Sequence, residues 1–421
     1  MSVIEEIQQR PLLRPLIFWL TGIILQTCFP LQTLAFVLPI AAAIIILFSF
    51  IASGTQVAPY EGRPVWGIVI ALITVFMAIE MTHLAEQSRG VVAELSFLQL
   101  KAQEVQARMV EKLTVLSLPD NYRAMLATIT VNFRRAMSAE LRNQFSVGGV
   151  SHLLSVSGFH VGIVCAFVRA LLSVLPKRGK TSNILKYALS MLMVWSFTYI
   201  SGLTTAAVRA AIMISIYLTG TVSGRMHDKY NTLAGAAFCM LVYNPFYLYS
   251  VGFQLSFIAV FFILYLQPRF SKLITIKNPL IATPWTILTV TLSAQLGTCF
   301  LCCFYFGQTS MVFIFTNLAL SFLANLLIPA TLLWMITPEW MPGFAILSTT
   351  VESLARSTMW IVESFASVPG ARLALRFDFI TMILSYISLF LCILYFRRHR
   401  YSLLVATLIT VIVIIAYNIY R

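Results

Sequence analysis

Apolar runs of about 20 residues recur along this chain, and that is the length a helix needs to cross the hydrocarbon core of a bilayer. They fall at approximately 12–29, 31–53, 66–84, 148–175, 184–202, 205–222, 230–249, 251–267, 284–306, 309–336, 378–396 and 401–420. In lipid every backbone N–H and C=O must be satisfied inside the protein, so runs of this length specify helices. Composition agrees: 59% of the 421 residues are hydrophobic and 10% are charged, whereas soluble domains carry about 25% charged residues. The predicted fold is all-α: a polytopic membrane helical bundle of about 11–13 spans, including broken or re-entrant helices, with external amphipathic helices.

A formal net charge of +14 suits an anionic partner such as nucleic acid or membrane lipid, but loop lysines and arginines also set topology. Arg10 and Arg14, Arg63, Lys177-Arg178-Gly179-Lys180, Arg225 and Lys229, and Arg269, Lys272 and Lys277 all fall on one face if the N-terminus is cytoplasmic. That predicts a multi-pass membrane protein with its N-terminus cytoplasmic. Beyond Lys277 the pattern conflicts with itself, because two further spans plus 378–396 would put Arg397-Arg398-His399-Arg400 outside. The conflict is repaired if 309–336 splits or if 341–369 enters the membrane. The latter carries Glu352, Arg356 and Glu363 among Leu354, Met359, Ile361 and Phe365, which equally suits an interfacial amphipathic helix. The first apolar run follows Arg10 and Arg14 without a small-residue cleavage site, so it is expected to be a retained span.

Residues 85–147 differ in kind. Val91, Leu95, Leu98, Ala102, Val105, Met109, Leu113 and Leu116 recur at steps of three and four, with Glu94, Lys101, Glu104, Arg108, Glu111 and Lys112 on the other faces. This predicts a long external amphipathic helix that lies on the membrane, packs on the bundle or pairs with a second copy. Pro119-Asp120 ends it, with Asp120 as N-cap of the next helix. There, Arg123, Arg134, Arg135 and Arg142 face only Asp120 and Glu140. They would gather an incoming polyanion, or simply form a solvated helix face. The expected organisation is 1–84 N-terminal transmembrane helices, 85–147 external segment, 148–340 transmembrane core, 341–377 interfacial or re-entrant helix, and 378–421 C-terminal hairpin.

Three sets of polar residues interrupt the apolar runs. The first is His152-Leu153-Leu154-Ser155-Val156-Ser157-Gly158-Phe159-His160. On a continuous helix Ser151, Ser155 and Gly158 share a face, and His152 lies roughly 80° from His160. Gly148, Gly149, Gly158 and Gly162 instead allow close packing or a helix break, and a broken helix offers N–H groups to an anion. The second is Arg209, which follows the turn Ser201-Gly202-Leu203-Thr204 inside a span. No acidic residue lies between Glu140 and Asp228, leaving carbonyls, water or an anionic substrate as its partner. The third comprises Gln254 and Ser256, joined by Asn317 and Asn325 in a later run; each alone is ordinary interhelical glue. Cys299-x-x-Cys302-Cys303 has metal-like spacing but no nearby histidine or carboxylate, so these thiols are expected to be buried hydrophobes and no metal or cofactor is expected.

His152–His160 resembles the His-Leu-Leu-Ala-x-Ser-Gly-Leu-His signature of the ComEC competence family. Ser201-Gly202-x6-Arg209-Ala210 resembles its second block, and Asn244-Pro245 through Gly252-Phe253-Gln254-Leu255-Ser256-Phe257 its third. The blocks occur in family order and the likeness covers about residues 120–340. It implies a channel conducting single-stranded DNA across the bacterial cytoplasmic membrane during natural transformation. By that resemblance His152, Ser157, Gly158, His160, Arg209, Gln254 and Ser256 carry function. The chain departs from the pattern at Ser155 and Phe159, and at Asn132-Phe133-Arg134-Arg135, where an acidic residue or tyrosine is usual. The Asn-Leu-Leu…Pro element is met only approximately, at Asn317 and Asn325–Pro329. The OB-fold and metallo-β-lactamase-like modules of full-length members have no counterpart here, so a core-only form is expected.

The predicted function is therefore a channel and not an enzyme. The pore wall would comprise His152, Ser155, Ser157, Gly158, His160, Gly202, Arg209, Gln254, Ser256, Asn317 and Asn325. Without a Gly-x4-Gly-Lys-Ser/Thr loop, the driving force would come from a cytoplasmic helicase or ATPase, with an external DNA receptor and a homo-oligomer as further expected partners. One alternative is transport of another anion, a lipid or small organic phosphate. Another is an intramembrane serine protease using Ser157 and His160, disfavoured because residues three apart on one helix align poorly for nucleophile and base.

Overall fold

The structure is a computed structural model that describes residues 10–29, 37–52, 63–88, 97–174, 180–222 and 228–420. Val91, Glu94, Leu95, Lys177, Arg178 and Arg225 lie outside the described residues. The chain is a multi-pass membrane protein and an all-α bundle. Its helices are α1 (Leu13–Cys28), α2 (Val37–Ala52), α3 (Arg63–Gln87), α4 (Phe97–Glu111), α5 (Asp120–Val131), α6 (Ala139–Val147), α7 (Gly158–Leu171), α8 (Lys180–Ile200), α9 (Thr205–Val222) and α10 (Lys229–Tyr243). They continue with α11 (Val251–Ser271), α12 (Pro279–Phe306), α13 (Phe313–Ile336), α14 (Phe344–Ala366), α15 (Phe379–Arg398) and α16 (Tyr401–Tyr420). Among the described residues, 7 helices are long and apolar enough to cross a membrane, lying within α3, α9, α11, α12, α13, α15 and α16. Within Tyr401–Asn418 of α16 no residue is buried, and a mostly apolar helix of that length with no buried face is what lipid accommodates.

Two compact units form. The first gathers residues 1–102, 168–199 and 205–257. Its core joins Trp19, Ile23, Ala78, Ala237, Met240, Leu241 and Phe253. A Cβ on Gly22 would lie 2.5 Å from Ala78 Cβ, so small residues let α1 and α3 approach closely. The start of α10 is pinned by polar contacts: Asp228 caps it, accepting from Asn231 N–H at 2.8 Å. The same carboxylate pairs with Arg10 Nε at 3.2 Å, while Asn231 Oδ1 accepts from Leu12 N–H at 2.9 Å.

The second unit gathers residues 103–167, 200–204 and 258–421. α5 is a core helix and not a solvated rod, with Ala124 through Val131 all buried. Asp120 does not cap it: the cap is Pro119, without a side-chain bond. The Pro119 carbonyl already accepts from Tyr122 and Arg123 N–H, which moves the boundary one residue earlier, and Asp120 pairs with Arg123 instead. Of the predicted amphipathic stripe, Ala102, Leu113 and Leu116 are buried while Leu98 is exposed. The helix is also shorter than expected among the described residues, giving way at Lys112–Val115 to a 3-10 turn.

α13 and α14 form an antiparallel hairpin. Trp334 stacks on Phe344 with centroids 5.7 Å apart, and its Nε1–H donates to Ser348 Oγ at 2.8 Å. Lys112 Nζ donates to the carbonyls of Trp334, Met335 and Thr337, a cation on the negative end of α13. Before and after the hairpin, strands β1 (Gln308–Ser310) and β2 (Arg372–Ala374) pair antiparallel, Ser310 opposite Arg372. The excursion α13–α14 therefore leaves from and returns to one level. α12 and α15 also pack antiparallel: Tyr386 O–H donates to Gly297 O at 2.7 Å, and Phe377 N–H to Cys303 O at 3.3 Å. If both cross the bilayer, Lys272–Lys277 and Arg397–Arg400 lie on one side. This removes the charge conflict read in the sequence, and 309–336 is not split.

Candidate functional site

The run 148–175 is not one helix. α6 ends at Val147, a 3-10 turn covers Ser151–Leu154, and α7 begins at Gly158. The helical face expected for Ser151, Ser155 and Gly158 does not exist, and the broken-helix alternative does. The physical cause is Gly149, which adopts φ +75°, where an added Cβ would lie 2.6 Å from Phe313 Cβ. Only glycine tolerates both the left-handed backbone and that approach. Ser310 Oγ donates to Val147 O at 2.7 Å and Gln308 Nε2 to Ser146 Oγ at 2.8 Å, tying the end of α6 to β1.

The two histidines separate. His152 is exposed, whereas His160 is fully buried. Ser157 precedes α7 as its N-cap, and His160 stands at the third helical position. His160 Nδ1 accepts from Ser157 N–H at 3.3 Å and lies 3.1 Å from Ser157 Oγ. This is half of a capping box with histidine in the place of Glu or Gln. A backbone N–H can only donate, so Nδ1 is assigned as the unprotonated nitrogen and the ring proton to Nε2. Nε2 has no partner in hydrogen-bond geometry among the described residues. The expectation that Ser157 and His160 align poorly is corrected, because Ser157 lies before the helix and not on it. Their contact is explained by helix capping, which already engages the Nδ1 lone pair that a general base would need.

The second block divides. Ser201–Thr204 belongs to the second unit and Arg209 to the first. Gly202 has φ +78°, and a Cβ there would lie 3.3 Å from Gln106 Nε2, an amide already committed to Val131 O.

Within the first unit Arg209 meets the third block. It is 5% exposed, its Nε is buried without a hydrogen-bond partner, and no ion pair reaches it among the described residues. A Cβ on Gly252 would lie 3.9 Å from Arg209 Nη1, so the guanidinium stands beside the N-terminus of α11. That helix end carries partial positive charge. Two like charges face each other in a site of low polarity, and an anion between them would satisfy both. Tyr247 is close enough to interact with the Arg209 charge. Its phenol is uncharged at neutral pH and supplies no counter-charge. The third block braces this corner: Asn244 Oδ1 accepts from Phe246 N–H at 3.0 Å, and Gln254 Nε2 donates to Leu248 O at 2.9 Å. Composition alone did not mark Tyr247 or the α11 N-terminus; the Asn-Pro preceding Gly252 was the available signal.

Other expected site residues scatter. Ser256 is half-buried on α11. Asn317 is buried, while Asn325 is exposed and donates to Ser321 O at 2.8 Å within its own helix. Arg123 is engaged by Asp120. Arg142 Nη2 donates to the Arg134 carbonyl at 3.0 Å, and Arg134 and Arg135 line one cleft with Gly202. Among the described residues no group of three or more His, Cys, Asp or Glu could hold a metal ion.

Comparison with known proteins agrees with these blocks. The chain is 29% identical over 206 residues to the ComE operon protein 3 of Bacillus subtilis (strain 168), covering 48% of this chain and 24% of that protein. The likeness thus spans about a quarter of the relative's length. No solved structure shows a significant match. The family profile described as "Competence protein" matches residues 129–400, which takes in all three polar blocks and well over half of the sequence, and the chain belongs to the competence protein family.

Proposed function

We propose that this chain forms a conduit through which single-stranded DNA enters the cytoplasm during natural transformation, across the bacterial cytoplasmic membrane, with its N-terminus cytoplasmic. Family membership supports the role in DNA uptake, and the observation that carries the chemistry is Arg209. A buried guanidinium without a counter-charge, beside a helix N-terminus, is suited to a passing phosphate. A phosphodiester strand presents one such charge per nucleotide, so successive phosphates can exchange at one site without a covalent step. The loop at His152, Ser155, Ser157 and Gly158, with Gly202, Gln254, Ser256, Asn317 and Asn325, would contribute further wall contacts. His160 would act through Ser157 by fixing the loop. Arg134, Arg135 and Arg142 would meet the strand first, with Arg123 muted by its ion pair. No group in this reading performs catalysis. A helicase or ATPase would supply the driving force, and a receptor would deliver the strand.

The test is uptake of labelled single strands by cells carrying Arg209→Ala, with membrane levels of the protein measured in parallel. Uptake should fall at least tenfold, and Arg209→Lys should restore part of it. Unchanged uptake at equal membrane level overturns the role of Arg209. A lipid or organic phosphate as cargo would instead leave DNA uptake intact in both variants.

A further inference from the structure

Two of the arginines beside the first block share a cavity in the second unit. A cleft of about 240 Å³ is lined by Gln103, Asn132, Phe133, Arg134, Arg135 and Thr204, together with Ser201 and Gly202. Its volume is several times the ~30 Å³ share of a water molecule, so it has room for more than an ion. No carboxylate lines it. Neither the Arg134 nor the Arg135 guanidinium makes an ion pair among the described residues, and the Arg142 guanidinium is bonded to the Arg134 carbonyl. Desolvation against the protein and then the Arg142 charge lower the Arg134 pKa from its ordinary value. Positive charge is thus concentrated where nothing in the described protein neutralises it. Thr204 Oγ1 is buried on the same wall without a partner.

The walls are held in place. Asn132 adopts the left-handed conformation at φ 62°, and its Oδ1 accepts from Val156 N–H at 3.2 Å. This bond fastens the cleft to the His152–His160 loop. Gln106 Nε2 is bonded to Val131 O, and Gly202 leaves no room for a side chain against that amide. The ligand chemistry follows from the lining: two guanidinium forks for a phosphate, amide and hydroxyl groups for its neighbours, and an aromatic ring.

We infer that this cleft is a phosphodiester-binding subsite for one nucleotide of the strand, with Arg134 and Arg135 on the phosphate and Phe133 beside the base. The inference deepens the conduit reading and rests on it for the identity of the strand. A nucleotide fits better than a lipid headgroup because the cleft is built from turns and polar side chains, and because a ring beside paired cations suits a base attached to a phosphate.

The experiment uses the full chain in phosphatidylcholine nanodiscs, with fluorescent dT12 as probe and a salt titration. Arg134→Gln/Arg135→Gln should weaken binding at least tenfold and reduce the magnitude of the log K against log salt slope by about 0.7, for the one phosphate no longer neutralised on a single strand. Arg134→Lys/Arg135→Lys should keep the slope yet bind more weakly, because lysine lacks the fork. Equal thermal midpoints confirm that the variants are folded. Native-like affinity and slope in the Gln pair overturn the subsite. If Arg209→Ala still abolishes uptake in that case, the conduit reading survives without it. A parallel arm measures phosphatidylglycerol retained on purification: if the Gln pair loses that lipid while dT12 binding is unchanged, the cleft holds a headgroup and the nucleotide assignment fails.

Discussion

At the scale of single residues, function and structure compete for the same few polar groups. Gly149 is fixed by steric demand: alanine would meet Phe313 Cβ at 2.6 Å in a left-handed backbone. Gly149→Ala should destabilise by about 2–4 kcal/mol, from strain and overpacking together, read as a lower thermal midpoint of the purified protein. His160 illustrates a different constraint. Its Nδ1 satisfies the Ser157 N–H, so His160→Ala strands a donor at the start of α7. His160→Gln, which supplies the usual capping acceptor, should retain most folded protein in the membrane while alanine loses about 1 kcal/mol of helix capping. Equal loss of folded protein in both variants would refute the capping role. The same geometry predicts that Ser157 is not labelled by fluorophosphonates, since capping and not base catalysis explains its contact with His160.

Elements are set by how their ends are satisfied. α13 is apolar enough to sit in lipid on its own, but its last carbonyls need donors. Lys112 supplies them to Trp334, Met335 and Thr337, and also lies 5.3 Å from the Trp334 ring centroid. Lys112→Met should cost about 1–3 kcal/mol and speed hydrogen exchange at residues 334–343, as measured by mass spectrometry. α14 is held beside this corner: Glu352 Oε1 accepts from Ser117 N–H at 2.7 Å, and Arg356 Nη2 donates to Ser117 O at 3.0 Å. Its buried stripe is Val351, Ala355, Thr358, Met359 and Val362, so of the apolar residues named from the sequence only Met359 belongs to it, while Leu354, Ile361 and Phe365 are half-buried. The charges that made 341–369 ambiguous are thereby accounted for in part by backbone partners on Ser117. Such contacts join residues more than 200 positions apart, and local pattern does not reveal them.

Across the whole molecule, the β1–β2 pairing decides topology. Because α13–α14 returns to the level it left, and α12 runs antiparallel to α15, two basic turns are brought to one side. In a background without native cysteines, Ile274→Cys and His399→Cys should react with a membrane-impermeant maleimide from the same face of oriented vesicles. Leu373→Cys, on β2, should react from the other. Labelling of 274 and 399 from opposite faces would refute this arrangement.

Fold class was legible from the sequence alone, because a bilayer permits only internally satisfied backbone and run length measures its thickness. The family was legible too, since its blocks are local strings. Arg209 stood out for a similar reason: a permanent charge in an apolar run is costly anywhere in a membrane. What surrounds that charge was not legible. The nearness of Gly252 and the α11 N-terminus, the division of the second block between two units, the split fates of His152 and His160, and the gathering of Arg134, Arg135 and Gly202 around one cleft depend on contacts distant in sequence. Periodicity reports which face of a helix is apolar, but not where a glycine breaks it. At 148–160 the steric requirement at Gly149 selected the broken helix over the continuous helical face, two alternatives that the sequence left open. The sequence by itself determined that this chain lives in a membrane and which polar residues are anomalous there; only the tertiary structure decided which of them meet, because burial and partnership are properties of packed neighbours.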